Sequence, residues 1–186
     1  YFLNFSAHNE FGMLRKTSHS NYFTGDNLQK YTFQSNVSAY ATKTTRVSLK
    51  MTTQLMNKYG TSGVASDLFN YTMTVNPVDF PAVYPSRADL AHVPFGSAPS
   101  WDGSGTQTNP YALLNQGYCN RFWGNVLATV TIDQDLAAIT EGLRISGLAS
   151  FANYTYSSVW NKLTPHFYTL TNYWMTPEGD YEYDLS

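Results

Sequence analysis

One cysteine, few charges and no long apolar run set the first limits on this 186-residue chain. Cys119 has no second thiol to pair with, which excludes a small scaffold stapled by internal disulfides. Its position at the start of an alternating segment predicts a small, half-buried packing residue. Only 13% of the residues are Asp, Glu, Lys or Arg and the net charge is −2, so nothing here would draw a polyanion, and nucleic acid is not an expected partner. No stretch approaches the roughly 18 consecutive apolar residues of a membrane-crossing helix. That absence leaves a membrane β-barrel open, because each of its strands needs only about ten alternating residues. The first residues, "YFLNFSAHNEF", contain no initiator Met, no basic cluster and no cleavage pattern, so they do not read as a signal peptide. The end, "PEGDYEYDLS", reads as an acidic loop with no closing strand. Together they lead to the expectation that the chain is a piece of a longer protein.

Catalytic and metal-binding patterns are equally scarce. His8, His19, His92 and His166 are scattered with no paired ligand spacing and no cysteine cluster to join them, so no metal and no cofactor is expected. No Gly-x-Ser-x-Gly elbow is present, and Cys119 lies in no nucleophile motif. A glycosidase would need two carboxyls at a defined separation. Asp79, Asp89 and Asp102 are candidates, but Asp-Gly-Ser-Gly after Trp101 is ordinary turn chemistry, and the expectation is no enzyme. The acidic residues Glu178, Asp180, Glu182 and Asp184 offer oxygen ligands for Ca²⁺ but read more simply as a solvated loop. Four Asn-x-Ser/Thr triplets, at Asn4, Asn36, Asn70 and Asn153, are discounted because strands rich in Asn and Thr generate them by chance.

What the chain does have is aromatics, 16% of all residues with fifteen tyrosines, and a repeated alternation of apolar and polar side chains. Tyr1, Leu3, Phe5 and Ala7 share one face of a strand. Tyr31, Phe33, Val37, Ala39 and Ala41 share another, as do Val47, Leu49, Met51 and Leu55. The pattern returns with Phe122, Val126, Ala128, Val130 and Ile132, and again with Leu143, Ile145, Ala149 and Phe151. The opposite faces carry mainly Ser, Thr, Asn and Gln. Connections alternate between short ones, near Lys43 and Thr140, and long ones, after His8, Tyr59 and Tyr156. An all-β fold of about five antiparallel strands follows, and uncharged polar faces with alternating loop lengths favour a transmembrane barrel over a soluble sandwich. Residues 60–118 form the longest connection. Within it residues 76–115 hold six prolines, and "SDLFNYTMTV" predicts a short helix capped by Ser66. Tyr84, Trp101 and Tyr111 offer flat rings for a sugar or peptide, while Asp102 and Asn109 offer hydrogen bonds; these five are the candidate substrate-binding residues.

Particular motifs go further than periodicity. "YFLNFSAHNEFGMLRKT", then "LQKYTFQSNVSAYATKTTRVSLKM", "FPAVYP" at residues 80–85 and "NPYALLN" at residues 109–115, in that order, resemble the SusC/RagA family of TonB-dependent outer-membrane transporters. The resemblance covers nearly the whole chain except residues 86–108, which match no family pattern. It implies about five strands of a barrel that closes with about 22, filled by a plug that is absent from this sequence. It also implies an outer-membrane location with surrounding lipid, and short turns facing the periplasm. Residues 60–118 would be a long extracellular loop. The implied partners are TonB, reached through the missing N-terminal region, and a SusD-like surface lipoprotein. The implied function is nutrient uptake, the import of oligosaccharides or oligopeptides in Bacteroidetes. Two alternatives stand beside it: a soluble β-sandwich that binds glycans, and a fragment of a glycoside hydrolase.

Overall fold

The structure is a computed structural model that describes residues 1–63 and 65–186. In chain order its elements are β1 (Phe2–Phe11), β2 (Asn27–Tyr40), β3 (Thr45–Thr61), α1 (Ala65–Thr74), β4 (Pro94–Gly96), α2 (Pro110–Leu114), β5 (Gly117–Asp135), β6 (Arg144–Lys162), β7 (His166–Tyr168), β8 (Leu170–Met175) and β9 (Tyr181–Leu185). The fold is all-β in class and mostly antiparallel. Two compact units divide the chain. One contains Tyr1–Gly12, Asp26–Tyr59 and Asn120–Val159, the other Met13–Gly25, Gly60–Cys119 and Trp160–Ser186.

The first unit is built on a single sheet in the order β1-β2-β3-β5-β6, which is not closed on itself. β1 opposes β2 with Phe5 across from Phe33, and β2 opposes β3 with Val37 across from Leu49. β5 runs antiparallel to β3: the Asp135 N–H donates to the Thr44 carbonyl at 2.8 Å, and Leu55 lies beside Gly124 farther along. β6 returns beside β5, with the Ser146 hydroxyl donating to Asp133 at 2.6 Å and the Thr129 and Ser150 hydroxyls 3.2 Å apart. Trp123 and Tyr156 bring their rings to 5.6 Å in the same register.

Because side chains alternate across a strand, this register gathers each set of residues on one side. One face carries Leu3 and Phe5, Phe33 and Val37, Leu49 and Met51, Ala128 and Val130, and Phe151; the other carries Ser6, Gln34, Thr52, Thr129 and Ser150. The apolar stretch has a defined height. It covers residues 31–39 on β2 and 47–55 on β3, nine residues each, with Tyr31, Ser35 and Thr53 as its hydroxyl-bearing members, and on β5 it runs from Ile132 to Phe122. The next row is a line of amides, Asn9 opposite Gln29 opposite Asn57. At the other end Thr45 donates its hydroxyl to Gln134 at 2.6 Å. Eight steps of about 3.4 Å, from the first residue to the ninth, give a band of roughly 27 Å.

The outer strands of this sheet are open. Every residue of β1 and of β6 is exposed, and on the apolar face Phe5 is 65%, Ile145 59% and Phe151 58% exposed. The two outer strands also have one neighbour each, which leaves a row of unpaired backbone groups on either edge.

The second unit has an ordinary small core: Leu68 from α1 and Ala112 from α2, with Phe80, Tyr84, Phe95 and Cys119, are all buried. Cys119 is thus fully covered rather than half-buried. β4 pairs in parallel with β7, Pro94 opposite His166 and Gly96 opposite Tyr168. A Cβ at Gly96 would collide with the Pro81 carbonyl, so glycine allows the two backbones to approach. β8 and β9 form a hairpin whose turn takes Gly179 at φ +91°.

Two sequence readings change here. The terminal acidic stretch does not stay a loop: Tyr181, Tyr183 and Leu185 alternate with Glu182 and Asp184, and that short period-two run pairs as β9. Ser66 is the second residue of α1 and not its cap, so the helix begins two residues earlier than Ser66 as a cap would set it.

Candidate functional site

The two motifs "FPAVYP" and "NPYALLN" turn out to be bonded to one another. Asn109 is 1% exposed, and its Nδ2 donates to the Ala82 and Gly96 carbonyls at 2.8 Å each. Its Oδ1 accepts from the backbone N–H of Tyr111 at 2.9 Å and of Ala112 at 3.3 Å, which caps α2 with Pro110 at the first helical position. Asn109 therefore uses its amide on the chain itself. Asn115 closes the other end of α2 in the same manner, donating to the Tyr111 carbonyl at 2.8 Å and accepting from the hydroxyls of Thr17 and Ser20.

Tyr84 is buried against Tyr183, ring centroids 5.9 Å apart. Burial raises its phenol pKa above the ordinary value, against a backbone hydrogen bond from Leu170 that lowers it. Trp101 and Asp102 lie instead at the tip of a small hairpin marked by the Pro99 to Thr106 bridge. Trp101 is 97% exposed. Asp102 accepts from the Ser100 hydroxyl at 2.6 Å and from both the hydroxyl and the N–H of Ser104, which lowers its pKa to about 2. The carboxylate thus organises its own turn. Tyr111 sends its hydroxyl to His19 Nδ1, 3.0 Å away.

The remaining loop carboxylates are engaged separately. Asp89 chelates Arg87 through both of its oxygens, and that hydrogen bonding holds its carboxyl below the usual range. Asp79 accepts from Asn76 and Gln107. None of the three is hydrogen-bonded to another among the described residues.

What the sequence did not disclose is a cluster of imidazoles. His19, His92 and His166, the residues that looked scattered, line one cleft of about 520 Å³ with Ser20, Tyr22, Phe95 and Asn115. His92 stacks on His166 with centroids 3.9 Å apart and planes 28° from parallel. Its Nε2 lies 2.6 Å from the Tyr168 hydroxyl, and the two rings are 17° from parallel. The parallel pairing of β4 with β7 makes this arrangement, by setting residues around 94 beside residues around 166. Among the described residues no group of three or more His, Cys, Asp or Glu is placed to hold a metal ion. His8 stands elsewhere, on β1, bonded to Glu10 at 2.6 Å.

The cleft therefore offers polarisable rings, imidazole nitrogens, hydroxyls and amides, with Val93, Leu163 and Pro165 as apolar wall. Such a surface suits binding by stacking and hydrogen bonds. No family model matches the chain, and neither a curated protein nor a solved structure matches it.

Proposed function

We propose that the five long strands are consecutive staves of a transmembrane β-barrel, part of a TonB-dependent outer-membrane transporter of the SusC/RagA type. The observation that carries this reading is the nine-residue apolar band on β2 and β3, continued on β5 as far as Phe122 and bounded by the Asn9, Gln29 and Asn57 row and by Thr45 with Gln134. A strand crossing a bilayer needs about 9–11 residues, and barrels of this kind carry an outward apolar band about 25 Å tall. A sandwich would bury the band under a second layer, whereas Phe5, Ile145 and Phe151 are open. Lipid would cover that face. Further strands would pair the edges of β1 and β6, satisfying backbone groups that have no partner in hydrocarbon.

In this reading the Ser, Thr, Asn and Gln face lines the lumen, and residues 60–118 form an extracellular loop. Solute, an oligosaccharide or oligopeptide, would meet exposed groups such as Trp101 first. A SusD-like lipoprotein would close over it, and energy passed through TonB to the plug would release it inward. The chain's own part is wall and outer binding surface, with no bond made or broken.

The test is the orientation of the two faces. In the full-length protein reconstituted in lipid, spin labels at residues 128 and 130 should collide with oxygen dissolved in the bilayer. Labels at residues 129 and 131 should collide with a water-soluble relaxant. Equal aqueous access at all four positions would exclude the membrane reading.

A further inference from the structure

We propose that the cleft of His19, His92 and His166 binds the carboxylate of an organic ligand, and that the stacked imidazole pair takes up a proton as it does so. The cleft lies wholly in the second unit, so the proposal stands apart from the membrane setting of the sheet.

Three observations lead to it. The first is open hydrogen-bonding capacity. His92 commits Nε2 to Tyr168, His19 commits Nδ1 to Tyr111 and Ser18, and His166 has no hydrogen-bond partner among the described residues. Each ring keeps a nitrogen for a ligand. The second is charge. The titratable side chains lining the cleft are the three histidines and Tyr22, with Tyr168 and Tyr111 behind two of them, and no Asp, Glu, Lys or Arg lines it. Lys162, next in sequence to the lining residue Leu163, lies over the Trp160 ring. An anion therefore meets no competing carboxylate there. The third is the stack itself. Two imidazoles 3.9 Å apart repel when both are charged, so an anion bound beside the stack favours the protonated pair.

The chemistry selects a carboxylate over a phosphate. Phosphate is usually held by guanidinium, ammonium or a row of backbone N–H groups, and neither cation lines the cleft. A planar, singly charged group spanning two imidazole N–H donors fits what is present, and Phe95, Val93 and Leu163 would contact its carbon body.

Titration calorimetry on the full-length protein tests this with two probes, a glucuronate-containing disaccharide and a diglutamate peptide, at about pH 5.5 and about pH 7.5. At least one probe should bind about tenfold more tightly at the lower pH, and repeating the titration in buffers of different ionisation enthalpy should show proton uptake. Which probe binds separates an acidic sugar from a peptide source. His166→Phe keeps a ring in the stack but cannot be protonated; it should lose the pH dependence and about tenfold in affinity at the lower pH, while His8→Gln should change nothing. Absence of binding by both probes overturns the proposal. So does binding without proton uptake in the unmutated protein, a result that does not depend on any variant folding.

Discussion

Asn109 shows how one side chain can hold a loop that has little regular structure of its own. Two of its hydrogen bonds cap α2 and two fasten carbonyls 27 and 13 residues away. Asn109→Ala removes the cap, worth about 1 kcal/mol, and takes a donor from the buried Gly96 carbonyl at about 1–3 kcal/mol, while the Ala82 carbonyl keeps the Gly96 N–H at 3.4 Å. The loop should then open by on the order of 3 kcal/mol, seen as faster limited proteolysis within residues 60–118. Asp102 gives a pH dependence at the hairpin tip. Its pKa is depressed to about 2 by the Ser100 hydroxyl first and then by Ser104. The stability it contributes is therefore complete above the ordinary aspartate range and fades as pH falls toward about 2. Exchange of the Ser104 amide, followed by NMR, should stay slow at pH near 4 and accelerate only near the depressed value. At this scale the sequence was partly legible. Asn-Pro before an apolar run is a readable cap, whereas the Asn109 bonds to Ala82 and Gly96 carry no local signal.

The long strands were readable because five segments repeat period two with the same residue classes on each side. β9 was not, since five residues alternating Tyr with Glu and Asp look like any acidic tail until β8 supplies a partner. The histidine cleft was equally hidden. His92 and His166 meet through β4 and β7, strands of three residues whose parallel pairing leaves no periodic trace. The two faces of the sheet predict different responses to charge. Ala128 lies on the apolar face near mid-band and Thr129 on the other. If the band sits in lipid, Ala128→Arg should cost about 2–4 kcal/mol while Thr129→Arg costs little. Urea unfolding of the full-length protein in micelles, read by tryptophan fluorescence, measures the difference.

At the scale of the whole molecule the open edges matter most. Among the described residues β1 and β6 each have one neighbouring strand, and their apolar side chains are exposed. Exposed edges and large apolar patches of this kind drive association in water. The 186-residue chain produced alone should precipitate or form heterogeneous assemblies without detergent. A monodisperse monomer by light scattering in plain buffer would count against the barrel.

The pairing of β4 with β7 also orders events in time. Pro94 finds its partner only at His166, and the whole of β5 and β6 lies between them in the chain. Contacts that close such long loops come late, after local hairpins have formed. During synthesis the segment holding His92 must wait for residues 166–168 to emerge. The cleft is thus among the last features to exist, and a truncation before residue 166 removes it while sparing the sequence of all five long strands up to that point.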